Sequence, residues 1–134
     1  MATIVESKLQ MLGLYFSKFD FRLDGQLDGT PLKNSIVVNH SSKIDDANQV
    51  RIQIDLKLED KQGLFELNLQ TLGFFKLENP EDVSEEIAKE ILEKNTVAIM
   101  LPFIRSQVSL LTTQPGMAPV LLPPIDVNAM LQDK

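Results

Sequence analysis

The sequence predicts an α+β protein, with strands in its first half and helices in its second. Three observations carry this prediction. Residues 50–59 alternate strictly between apolar and polar side chains, Asn79-Pro80-Glu81-Asp82 has the makings of a helix start, and residues 96–113 are apolar nearly all round.

The first strand spans about residues 8–23. Leu9, Met11, Tyr15, Phe19 and Phe21 share one parity, while Leu12, Leu14 and Phe16 occupy the other. A strand apolar on both sides is covered on both sides, by its own core or by a partner subunit or client. The loop beginning at Asp24-Gly-Gln-Leu-Asp-Gly leads to a short strand over residues 35–40. In the next strand Val50, Ile52, Ile54, Leu56 and Leu58 alternate with polar residues, so one sheet face is buried and the other solvated. Asp60-Lys-Gln-Gly63 reads as a hairpin turn ending on a glycine that takes a positive φ cheaply. The return strand runs from about Leu64 to Leu77, with Phe65, Leu67 and Leu69 opposite in face to Glu66, Asn68 and Gln70.

Helices follow. Asn79 offers a capping side chain, Pro80 suits the first helical position, and Glu81 and Asp82 suit the positive end of the helix dipole. Val83, Ile87, Ile91 and Leu92 form an apolar stripe, and Asn95 is expected to interrupt the helix. A second helix is expected from Thr96 to about Thr113, with Pro102 kinking it or sitting in its first turns. Its one charge is Arg105. One small subunit can hardly surround such a helix, so it is expected at an oligomer interface, through Met100, Phe103, Ile104, Val108 and Leu111. The segment 114–126 holds Pro115, Pro119, Pro123 and Pro124, which keep it extended and out of any sheet ladder. Asp126 could cap a final helical turn through Leu131.

The 134 residues have the size of one domain, read as 1–134, with strands over about 8–77 and helices and proline-rich segment over about 79–131. A net charge of −6, with 13 scattered basic residues, argues against a nucleic-acid partner. Cysteine is absent, the N-terminus lacks a basic start followed by an apolar run, and the most apolar stretch is broken by Pro102 and Arg105. The expectation is a soluble cytoplasmic protein with no membrane insertion. The chemistry of an enzyme is missing. His40 is the one histidine, so no metal cluster can be assembled, and no phosphate-cradling glycine pattern occurs. Glu85, Glu86, Glu90 and Glu93 read as the solvated face of a helix. No catalytic residue, metal or cofactor is expected. The sequence reads as that of a binding protein.

Two segments carry a family resemblance. Ile99-Met-Leu-Pro-Phe-Ile-Arg105 is similar to the apolar-Pro-aromatic-x-Arg segment opening the long helix of the SecB family of export chaperones. Pro115-Gly-Met-Ala-Pro-Val-Leu-Leu-Pro-Pro-Ile-Asp-Val-Asn-Ala-Met130 resembles the family's crossover run, Gly-x-x-Pro-x-x-Leu-x-Pro-x-x-Phe-x-Ala-Leu. Residues 15–21 and 70–77 resemble family strands more weakly. The resemblance implies a four-stranded antiparallel sheet with C-terminal helices on one face, dimers formed by edge pairing, and tetramers with helices between two sheets. It also implies capture of unfolded polypeptides, without ATP, between the crossover, the last helix and the sheet. A groove lined by Tyr15, Phe19, Phe65 and Phe75 from the strands and by Met117, Val120, Leu121 and Leu122 from the crossover fits that expectation.

The sequence departs from the family in two places. It stops at Gln132-Asp-Lys134, short of the family's longer last helix, which is expected to shorten the groove's cover. Where the family carries acids that dock the translocation motor SecA, Lys18, Arg22 and Asn68 stand here, so SecA is a doubtful partner. Some SecB-like proteins protect an unstable antitoxin instead. The alternative class is a structural or regulatory oligomer that captures no clients.

Overall fold

A computed structural model describes residues 9–40, 49–78 and 84–123. Four strands, β1 (Leu9–Leu23), β2 (Lys33–His40), β3 (Gln49–Glu59) and β4 (Phe65–Leu77), form one antiparallel sheet in the order β1-β4-β3-β2. A short helix α1 (Glu85–Glu90), a π-helical turn (Ile91–Asn95) and a longer helix α2 (Thr96–Thr112) follow without a break. The α+β expectation and the β3–β4 hairpin are borne out.

The hairpin closes as its residues dictate. Gly63 takes φ 76°, and the buried Asp60 carboxylate accepts the Phe65 N–H at 2.8 Å. Arg22 of β1 donates to the Gly63 carbonyl at 3.0 Å and pairs with Asp24, which holds its guanidinium above the usual arginine range.

The alternation on β3 and β4 sets the core. Val50, Ile52, Ile54, Leu56 and Leu58 meet Phe65, Leu67, Leu69, Phe75 and Leu77 on one buried face. Helix α2 packs on that face through Val97, Met100, Leu101, Ile104 and Val108. Gly73 makes the approach possible: a Cβ there would lie 2.7 Å from Met100 Sδ and 2.9 Å from a Phe75 ring carbon.

Strand β1 corrects the parity expectation. Its register against β4 shifts between Met11 and Gly13 and again between Phe16 and Lys18, which makes Leu12 and Ser17 β-bulges. Each extra residue flips the alternation. Leu9, Met11, Leu14, Phe16, Phe19, Phe21 and Leu23 therefore all pair with core-facing β4 residues, although they do not share one parity. Tyr15 pairs with Leu72 and stacks on Phe74, on the opposite face. The mixed pattern thus reflects a twice-bulged edge strand.

The helical region differs from expectation at Asn95. The residue adopts φ −72°, ψ −35°, and the helix continues through it. The preceding turn widens to π, and the buried Thr96 hydroxyl bonds back to the Leu92 carbonyl. In α1 the Ser84 hydroxyl accepts the Ile87 N–H at 3.2 Å. The expected start at Asn79–Asp82, Val83, and the final turn at 126–131 lie outside the described residues. Along the expected stripe, Leu92 is buried but Ile87 is exposed. Pro102 sits inside α2, and the carbonyl that loses its donor belongs to Ala98, itself an exposed residue, so water can replace the bond.

Candidate functional site

The candidate site is the core-facing side of the sheet with α2 and the crossover laid over it. Pro115 and Gly116 turn the chain back at the end of α2. Gly116 takes φ 85°, and the Met117 N–H donates to the Gln114 carbonyl at 3.2 Å, a type II turn. The crossover then runs back beside the helix and is tied to it at two points. The Thr112 hydroxyl accepts the Val120 N–H at 2.7 Å, and Arg105 Nε donates to the Leu122 carbonyl at 3.1 Å.

These ties sort the crossover residues. Leu122 is buried in the core, Met117 and Val120 are half-buried against it, and Leu121 is 77% exposed. On the strands, Phe65 and Phe75 are fully buried, and Phe65 meets Phe21 edge to face at 5.6 Å. Phe19 and Met11 lie on the same sheet face as these two rings but are exposed, Phe19 by 51%. The eight expected groove residues therefore do not form one surface. Phe65, Phe75 and Leu122 belong to the core, Met117 and Val120 border it, Phe19 and Leu121 are open, and Tyr15 is on the outer face.

The expected interface divides in the same way. Met100, Ile104 and Val108 are buried within this one chain, and Leu111 packs beside them. Of the five, Phe103 is exposed, at 46%. Leu110, outside that set, is 68% exposed, and Pro102 is exposed as well. A helix with one charge looked apolar all round, but its sheet-facing side is satisfied inside the subunit. Phe103 and Leu110 form the remainder.

The outer sheet face is mostly polar, apart from the Tyr15–Phe74 stack and the exposed Val37. Lys18, Asp20, Ser35, Val37, Asp55 and Lys57 line an open trough across it. Its charges are locally paired: Lys57 lies 3.2 Å from Glu66, and Asp55 accepts from Gln53 and Gln70 at 2.9 and 3.2 Å. Lys18 is within 3.8 Å of Asp20. Arg22 bridges Asp24 and Glu66. Among the described residues, no group of three or more His, Cys, Asp or Glu could hold a metal ion. No described helix is long and apolar enough to cross a membrane.

Comparison with known proteins agrees with the fold. The family model described as "Preprotein translocase subunit SecB" matches residues 28–134. The protein-export protein SecB of Neisseria meningitidis serogroup A is 31% identical over 109 residues, covering 79% of this chain and 72% of the relative. That of Anaplasma phagocytophilum is 29% identical over 85 residues, covering 63% of this chain and 54% of the relative. The chain thus spans about half the length of one relative and under three quarters of the other. Among solved structures, the SecB-like chaperone of Mycobacterium tuberculosis, in complex with a peptide from the HigA1 antitoxin, superposes with a TM-score of 0.65. Sequence identity is 13%, over 88% of this chain and 91% of that one, so the likeness is one of fold.

Proposed function

The chain belongs to the SecB family of export chaperones, and we propose that it is a cytoplasmic holdase that binds unfolded polypeptides without ATP. One observation supports this above the others. The crossover is fixed to α2 with Leu121 held out at 77% exposure, while Phe19 and Met11 stay uncovered on the sheet face that α2 leaves open. Uncovered apolar side chains on a fixed frame suit extended clients of varied sequence. The exposed strip of Pro102, Phe103 and Leu110 on α2 is the proposed contact between copies, in a dimer of dimers.

The identity of the client follows less from the sheet's outer face. Lys18 and Arg22 stand there, each held by a neighbouring acid. A motor that docks on free acids would find here acids already paired with Lys18, Arg22 and Lys57. This favours, as a second reading, a dedicated client such as the antitoxin segment bound by the mycobacterial protein of the same fold.

Two neighbouring leucines test the client surface. Leu121→Ser should weaken binding of a reduced, permanently unfolded client while leaving the melting temperature within a degree or two. Leu122→Ser should destabilise the fold by about 2–4 kcal/mol through lost burial and a cavity, because Leu122 is 8% exposed. Fluorescence anisotropy of a labelled client, with thermal melts alongside, reads both. Unchanged client affinity in Leu121→Ser would move the site away from the crossover.

A further inference from the structure

We propose that Arg105 and Thr112 are positioning residues that lock the crossover in the one register that turns Leu121 out and Leu122 in. The proposal deepens the client-capture reading above and rests on it for its functional half.

The anchors are seven residues apart on α2, about two turns, and they grip residues 120–122 from both ends. Between the two bonds the crossover runs extended, so alternate side chains point opposite ways. Val120 is half-buried, Leu121 exposed and Leu122 buried, as that alternation requires. A slip of one residue that brought Pro119 to Thr112 would put Leu121 in the buried place of Leu122 and turn Val120 out. The sequence works against that slip. Pro119 precedes the residue whose N–H binds Thr112, and a proline brought to that place has no N–H to offer.

Both anchors are used in an unusual way. Thr112 is fully buried, and its hydroxyl donates to the Val108 carbonyl at 2.8 Å. A helical threonine commonly stops at that bond; here the same oxygen also accepts from a residue eight positions on. Arg105 is the one charge on α2, is half-buried, and its described hydrogen bond goes to a neutral backbone carbonyl. Removing a guanidinium partly from water for one carbonyl is costly, and the return is a crossover held in place.

The test uses the full chain with Thr112→Val, Thr112→Ser and Arg105→Met. Two quantities are read: amide hydrogen exchange at Val120, and the Kd for a reduced, carboxymethylated, permanently unfolded protein. Thr112→Val should speed Val120 exchange and weaken the client by roughly three- to tenfold, the range of one net hydrogen bond. Thr112→Ser, which keeps the hydroxyl, should restore both. Arg105→Met keeps the aliphatic stem and should weaken the client similarly, which decides the matter should Thr112→Val fail to fold. Unchanged Val120 exchange in Thr112→Val overturns the lock. Faster exchange with unchanged Kd overturns the positioning role. A wild-type chain that binds no client sinks the capture reading and the functional half of this proposal, while Val120 exchange still decides the lock.

Discussion

Replacing Ile104 with glutamate is expected to unfold the subunit, not to split an assembly of folded subunits. Ile104 is 1% exposed, in a core shared with the inward faces of β3 and β4. Burying a carboxylate there without a partner costs several kcal/mol, a large share of the roughly 5–15 kcal/mol that holds a domain together. Leu110→Glu makes the complementary experiment. Leu110 is 68% exposed on the same helix, so the charge stays in water and the melting temperature should hold. If copies meet along Phe103 and Leu110, the mass in solution should fall. Circular dichroism melts with multi-angle light scattering separate the cases. A folded Ile104→Glu would contradict the placement of α2, and an unchanged mass for Leu110→Glu would move the contact elsewhere.

The second large effect belongs to Phe65. Its ring is fully buried and meets Phe21 edge to face. Phe65→Ala should cost about 3–5 kcal/mol, the range for emptying a buried aromatic site. Its position compounds the effect, since Phe65 opens β4 directly after the hairpin turn, where the Asp60 carboxylate fixes its N–H. Phe19→Ala removes the same group from a half-exposed site on the same sheet face and should cost under about 1 kcal/mol, because little burial is lost. Urea unfolding of both variants gives the comparison. Equal costs would contradict the assignment of Phe65 to core and Phe19 to surface.

Strands β3 and β4 were legible in the sequence because strict alternation fixes their faces, and the hairpin between them because Asp60 and Gly63 have the right chemistry. Strand β1 was not. The bulges at Leu12 and Ser17 leave no mark in composition, yet each flips the parity, so counting from Phe19 and Phe21 put Tyr15 on the wrong face. Asn95 looked like a breaker because asparagine is a poor helix former, but local propensity yields when the flanking turns are packed: Leu92, Thr96 and Val97 around it are all buried. The apolar helix is legible over Thr96–Thr112, but periodicity does not divide the face met by the sheet from the face left over. The prolines predict an extended crossover over 114–126, but Gln114–Met117 form a tight turn, and residues 124–126 lie outside the described residues. Which of Leu121 and Leu122 faced in depended on the bonds from Thr112 and Arg105, and a hydrogen bond from a helix to a chain many residues on has no sequence signal.

Capture of unfolded chains without nucleotide is read most plainly from light scattering of an aggregating client. A client diluted from denaturant should aggregate alone and stay dispersed with a stoichiometric amount of this protein, with no ATP present. Leu121→Ser should protect less well at the same ratio, although it remains folded. Aggregation that proceeds unchanged in the presence of the wild-type chain would contradict the holdase reading and leave an assembly module in its place.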